Sequence, residues 1–291
     1  MRKTVLIATC LSFFCLMNLA CSETDVQKLT KLAKSGDAKA QYNLGYMYHI
    51  GQGVPQNYAE AMKWFRKAAD QGYAEAQFNL GAMYDNGLGV PQNYAEAVKW
   101  YRKAADQGNA GAQNNLGSMY RNGKSVPQNY TEAVKWFRKA ADQGLAPAQF
   151  NMGGIYYHGE GVPQNYAEAV KWYRKAADQG NTGAQCILGA MYDIGKGVTH
   201  NYAEAMKWYR KAADRGHAYA QFNMGAMYGN GEGVPQNFVK AYVWWSLASA
   251  NGNESAKKNL DLLRSEMTQQ QVAQAQSEAA ELWKQIGNSN K

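Results

Sequence analysis

Histidine and cysteine are scarce in this chain, four of each among 291 residues, and they do not cluster. His49, His158, His200 and His217 share no spacing. Neither a His-Glu-x-x-His helix nor a paired-cysteine ligand set is present, so the sequence predicts no metal and no cofactor. Hydroxyl nucleophiles are no easier to place. No serine sits in a Gly-x-Ser-x-Gly elbow, and Ser246 follows Trp244-Trp245 at a packing position. Gly123-Lys124-Ser125 matches only the tail of a phosphate loop: Gly117 stands one residue too far upstream and no strand precedes it. No catalytic residue is expected, and the chain reads as a non-enzyme.

Charge is also sparse. Asp, Glu, Lys and Arg make up 19% of the residues, with a formal net charge of +8, against roughly 25% in an average domain. Much of the excess recurs in Lys-Trp-aromatic-Arg-Lys blocks such as Lys63 to Lys67, with Glu60 and Asp70 alongside. Regular acidic neighbours make this read as a solvated outer face and argue against a nucleic-acid partner. An anionic surface of lipid headgroups or a glycan polymer stays open.

Long apolar runs are missing except at the start. Arg2-Lys3, the stretch from Val5 to Leu16, and small or modest residues up to Cys21 follow the order of a secretory signal, too short to span a membrane. Residues 1–21 are therefore read as a signal peptide and the chain as exported, to the periplasm or anchored in the bacterial envelope. Leu19-Ala20-Cys21 resembles the end of a bacterial lipobox, with Asn18 where leucine is usual. Two readings stand: lipidation of Cys21, which would attach the chain to a membrane, or ordinary cleavage after Ser22. Cys10 and Cys15 leave with the leader. Cys186 lies four repeats from Cys21, and stacked helices about 8 to 10 Å apart exceed the about 7 Å reach of a disulfide. Cys186 occupies the slot of Phe78, Phe150 and Phe222, which makes it a small apolar filler rather than a reactive thiol.

What the chain has in abundance is self-similarity. Gln41 returns at Gln77, Gln113, Gln149, Gln185 and Gln221, each inside the same 36-residue unit, so residues 37–252 form six tandem repeats. A fixed period in this range marks a solenoid whose units pack on their neighbours. In the first half of a unit Ala40, Leu44, Met47 and Tyr48 recur at helical spacing and end at Gly51-Gln52-Gly53-Val54-Pro55. Gly45 and its equivalents cost about 1 kcal/mol each inside such a helix, and close approach of a partner helix would explain them. The second half opens at Asn57, with Glu60 three residues on as a capping box requires. Its apolar set Tyr58, Ala61, Met62, Trp64, Phe65, Ala68 and Ala69 covers more than half a helical wheel and needs cover from two sides. Gly72 ends it.

The predicted fold class is thus all-α, an α/α superhelical solenoid of six helix-turn-helix repeats with capping helices. Residues 22–36 are an N-terminal cap and 253–291 C-terminal capping helices, with Leu282 and Trp283 expected to dock inward. If Gly53, Gly89, Gly161, Gly197 and Gly233 use positive φ, Ser125 in the same slot would be mildly strained or its loop rebuilt.

The pattern Ala-x-Ala-Gln-x-x-Leu-Gly-x-Met-Tyr followed by Gly-x-Gly-Val-Pro-Gln-Asn-Tyr-x-Glu-Ala-x-Lys-Trp-Tyr-Arg-Lys-Ala-Ala-Asp-Gln-Gly resembles the Sel1-like repeat, a relative of the tetratricopeptide repeat. The resemblance implies a superhelix with the first helix of each unit on the concave side, acting as a protein-interaction scaffold or adaptor, often at bacterial envelopes. Cysteine-rich relatives linked to β-lactam binding or hydrolysis suggest the alternative of a cell-wall or β-lactam-related hydrolase, but their paired cysteine per unit is missing here.

Positions that differ among the six copies are candidates for partner contact. On the first helix they lie three and four apart, on one face. Tyr42, Tyr46, His49, Phe78, Asp85, Asn114, Arg121, Phe150 and Tyr157 are the expected groove for a peptide or partner protein, aromatics as anchors and Asp85 and Arg121 setting orientation. The competing reading makes residues such as Phe78 and Phe150 half-buried packing groups.

Overall fold

The computed structural model describes residues 23–289; the leader and Cys21 lie outside them. All regular structure among the described residues is helical. The chain divides into two compact units, one ending at Leu145 and the other starting at Ala146. The first holds α1 (Glu23–Lys34), α2 (Ala38–Ile50), α3 (Tyr58–Asp70), α4 (Ala74–Asn86), α5 (Tyr94–Asp106), α6 (Ala110–Asn122) and α7 (Tyr130–Asp142). The second holds α8 (Ala146–His158), α9 (Tyr166–Asp178), α10 (Thr182–Ile194), α11 (Tyr202–Ala213), α12 (Ala218–Asn230), α13 (Phe238–Ala250), α14 (Glu254–Arg264) and α15 (Gln269–Ser289). Within each unit the hairpins α2/α3, α4/α5, α6/α7 and α8/α9, α10/α11, α12/α13 stack through α3 on α4, α5 on α6, α9 on α10 and α11 on α12. This is the repeat architecture of an α/α solenoid.

The helical glycine is explained by its hairpin partner. A Cβ on Gly81 would lie 2.7 Å from the Tyr101 ring, and on Gly117 2.8 Å from that of Phe137. Real Cβ atoms do not approach that closely, so the first helix surrenders helix propensity to let the aromatic ring of the second lie against its backbone. That ring and the adjacent tryptophan look opposite ways. Tyr101 joins Ala112, Leu116 and Met119 ahead of it, while Trp100 joins Ala61, Phe65, Leu80 and Met83 behind it. The wide apolar arc of the second helix is covered from two sides, as its wheel requires.

The loop is braced by both termini it connects. Gly51 takes φ 76° and caps α2, the Asn57 N–H donates to the Tyr48 carbonyl at 2.8 Å, and the Gln56 side chain donates to the His49 carbonyl at 2.8 Å. Asn57 then accepts from the Glu60 N–H at 3.0 Å. Only this half of the expected capping box forms. The Asn57 N–H is already committed to Tyr48, so the Glu60 carboxylate turns outward and binds Lys63 at 3.1 Å. The second loop glycines are at positive φ, and Ser125 adopts φ 54° in the same slot without rebuilding the loop, since Lys124 and Asn129 still donate to Met119 and Tyr120.

A ladder of buried glutamines joins the hairpins. Gln41, Gln77 and Gln113 donate to the Ala33, Ala69 and Ala105 carbonyls at 3.1, 3.0 and 3.1 Å. Their carbonyl oxygens accept from Gln71, Gln107 and Gln143 at 2.7, 2.7 and 2.8 Å. Each adds a second donor to a carbonyl at a helix C-terminus that already accepts from the glycine three residues on, and so ties that terminus to the next hairpin, which the period in the sequence marks but does not explain.

At the ends, α1 packs on α2, and both α14 and α15 pack on α13. Of the two residues expected to dock α15, Leu282 packs against the terminal core, but Trp283 is 45% exposed. The buried face runs through Ala275, Ala279, Leu282 and Ile286 at steps of four, three and four, which carries residue 283 about 100° away from it.

Candidate functional site

The predicted face is built by the first helices of the repeats, and the structure reduces how much of it is open. In the first unit Tyr42 lies 5.1 Å from Tyr73, 5.7 Å from Phe65 and 6.4 Å from Tyr46 between ring centroids. Burial pushes its hydroxyl up to about 12, opposed by a hydrogen bond with Asn79. Tyr46 is half-buried at the edge of this stack. His49 packs against Tyr58 and Phe65 with a buried Nδ1 that has no partner, and burial lowers its pKa.

Phe78 is sandwiched. Its ring stands 6.0 Å from Tyr101, and a Cβ on Gly111 of the next hairpin would meet it at 3.0 Å. Phe150 repeats the arrangement in the second unit, 5.6 Å from Tyr173 and against Gly183. Both work chiefly as packing groups. Ala82 and Cys186, which also vary between copies, are buried; burial raises the Cys186 thiol to about 11, which removes the thiolate at neutral pH.

Asp85 is half-buried and accepts from the Tyr101 hydroxyl at 3.3 Å. Burial raises its pKa, while Lys124 of the following loop and Tyr101 pull it down. In the second unit Tyr157 is engaged the same way: the Lys196 ammonium donates to its hydroxyl at 3.1 Å and lies over the Tyr157 and Tyr166 rings at 4.5 and 4.2 Å. Sequence reasoning missed these loop-to-helix partners. The available signal was that the residue between the two loop glycines varies too, as Lys124 and Lys196 do. Asn114 and Arg121 are half-buried on the first-unit face.

The Lys-Trp-aromatic-Arg-Lys blocks are not a simple solvated face. Trp64 is buried, Lys67 lies over its ring at 4.7 Å, and Arg66 reaches across to Trp100 at 4.7 Å while donating to the Tyr84 hydroxyl at 2.6 Å. Lys103, Lys175 and Lys211 repeat the stack at 4.2, 4.0 and 4.0 Å. Glu60 answers only Lys63. The cationic heads thus lie over the indole faces and roof them from the solvent side.

Among the described residues no group of three His, Cys, Asp or Glu side chains could hold a metal, and no helix is long and apolar enough to cross a membrane. The repeated unit is therefore a helical hairpin whose invariant residues are spent on packing, the class of protein in which stacked hairpins display a surface. A family model for the Sel1 repeat matches residues 38–73, 74–109, 110–145, 146–181, 182–217 and 218–253, and the chain belongs to that family. Proteins built from Sel1 and related repeats are typically protein-interaction scaffolds.

Two solved structures are close. One is c5321, a protective antigen present in uropathogenic Escherichia coli strains, with 41% identity and a TM-score of 0.80 over 91% of this chain and 56% of that one. The other is a Sel1 repeat protein from Oxalobacter formigenes, with 34% identity and a TM-score of 0.70 over 77% of this chain and 99% of that one. The secretory immunoglobulin A-binding protein EsiB of Escherichia coli O6:H1 is 44% identical over 69 residues, 23% of this chain and 14% of that protein. This chain thus spans little of EsiB and about half of c5321.

Proposed function

We propose that the chain is an exported scaffold of the bacterial envelope that binds a protein or peptide on the first-helix face of its repeats. The observation that carries this reading is the half-buried aromatic stack of Tyr42, Tyr46 and Tyr73 in the first unit. It lies on the face where the copies differ, whereas the invariant residues are consumed by packing. Tyr46 serves as anchor, Asn114 and Arg121 supply polar contacts, and Asp85, tied to Tyr101 and Lys124, orients the partner. Phe78 shapes the floor, and Phe150 and Tyr157 hold the equivalent positions in the second unit.

The test is capture of a partner from native envelopes by the chain and by a Tyr46→Ala/Arg121→Glu variant. Phe78 is unsuitable because its loss would disturb packing. Capture that survives in the variant at unchanged helicity would reject the face. Secretory immunoglobulin A is a defined first ligand to try, because the EsiB name records that binding for a relative. Membrane attachment through Cys21 is tested separately, by mass and fractionation of the mature chain against Cys21→Ser.

A further inference from the structure

Repeat six departs from the other copies where its second helix begins, and those departures line a cavity. Where four other units have Tyr-Ala-Glu, as at Tyr202 to Glu204, and the third has Tyr130-Thr131-Glu132, this one has Phe238-Val239-Lys240. The opposite wall is not another repeat but the glutamine-rich α15, through Gln271, Gln274 and Glu278. The cleft between them, within the second unit and open to solvent on one side, has a volume of about 460 Å³, inside the range of small-ligand sites, roughly 300 to 1,000 Å³.

The walls are made of carboxamides, each held at one end only. Gln236 donates its amide to the Gly229 carbonyl at 2.7 Å, leaving its oxygen unused. Asn237 spends its oxygen on the Lys240 N–H at 2.9 Å, leaving its NH2. Gln271 spends its oxygen on the Thr268 N–H at 2.9 Å, again leaving the NH2. Gln274 donates to Glu278 at 2.8 Å, leaving its oxygen. Two donors and two acceptors are thus oriented by internal bonds and carry no second partner among the described residues. Phe238 and Val239 add an apolar strip.

We propose that this cavity binds a neutral saccharide. A sugar hydroxyl donates and accepts at once, so it is matched by donors and acceptors alternating around one space, while the C–H face of a pyranose suits a phenyl edge. A strongly anionic ligand fits poorly, because Glu278 stands opposite Lys240. The proposal concerns α13 and α15 and is independent of the first-helix face.

The test is titration of the 15N-labelled full chain with maltotriose and with triacetylchitotriose, following the Asn237 and Gln271 side-chain amide resonances. Saturable shifts with at least one sugar, at a dissociation constant of about 1 mM or tighter, are expected. Gln274→Ala should weaken binding about tenfold, the worth of one hydrogen bond. Phe238→Tyr restores the residue of the other repeats, where Gln56 also donates to the Tyr58 hydroxyl at 3.1 Å; it should fold normally and lose binding by obstructing the cleft. Amides unmoved by both sugars, or binding unaffected in both variants, would overturn the assignment.

Discussion

The two units carry the same ladder in different states of repair. In the first, Gln41, Gln77 and Gln113 are each held from both sides. In the second, Gln149 accepts from Gln179 at 2.7 Å and Gln221 from Asn251 at 2.9 Å, but the buried Gln185 oxygen has no partner. The residue that should supply it is Arg215, whose guanidinium donates instead to the Gly180 carbonyl at 2.7 Å. One substitution at this slot of the repeat has left a buried acceptor unpaired. Invariance across copies therefore marks bonds that couple neighbours, and a single departure shows what each bond is for.

The sharpest way to stress both units is to crowd the ring against the helix. Gly117→Ala in the first and Gly189→Ala in the second would place Cβ atoms 2.8 and 2.6 Å from Phe137 and Tyr209. Each should destabilise its unit by about 1 to 3 kcal/mol, overpacking outweighing the gain in helix propensity. Denaturant midpoints measure this, with the larger loss expected at Gly189, where Tyr209 is also tied to Asp193 at 3.3 Å. A gain at either site would contradict the ring-on-backbone account.

The ladder itself gives the next effect. Gln113→Ala removes two bonds, those with Gln143 and the Ala105 carbonyl, and should cost about 2 kcal/mol; Gln185→Ala removes only the bond to the Ala177 carbonyl and should cost roughly 1 kcal/mol less. Arg215→Gln should recover about 1 kcal/mol by closing the gap. Hydrogen exchange at α10 and α12 would report it locally. Equal losses at Gln113 and Gln185 would show that the orphaned oxygen costs nothing.

Smaller still is Ser125→Gly, which should stabilise the first unit by about 0.5 to 1 kcal/mol by relieving φ 54°, offset in part by unfolded-chain entropy. The second unit has a titrating cap. His217 accepts from the Ala220 N–H through Nδ1 at 3.3 Å, and burial holds its pKa below the usual value. The unfolded chain therefore takes up the proton first, so stability is complete above about pH 6.5 and declines as pH falls below it. His217→Asn, matching the caps at Asn109 and Asn181, should reduce that slope in thermal melts and leave the part that the buried His49 contributes.

Much of this was legible beforehand. The period, the hairpin, the αL glycines and the reason for the helical glycine follow from spacing and local sterics, and Ser125 fell where the pattern put it. The candidate face was less readable, because three-and-four spacing assigns residues to a side of a helix without saying what lies against that side. Phe78 and Phe150 vary with their neighbours' packing, and Asp85 and Tyr157 answer lysines more than thirty residues on.

Repetition alone determined that helices pair and stack, because a unit whose apolar arc exceeds half its circumference cannot be covered without a neighbour on each side. Only the folded chain decided the contacts that depend on distance in space. These are the Asn57 amide taken by Tyr48 instead of Glu60, the indoles roofed by cations from two helices, Trp283 left at the surface, and the glutamine oxygen stranded when Arg215 reached past it. A hydrogen-bonding group has few partners and takes whichever the fold brings within 3 Å or so, and that competition is settled by tertiary geometry rather than by the order of residues along the chain.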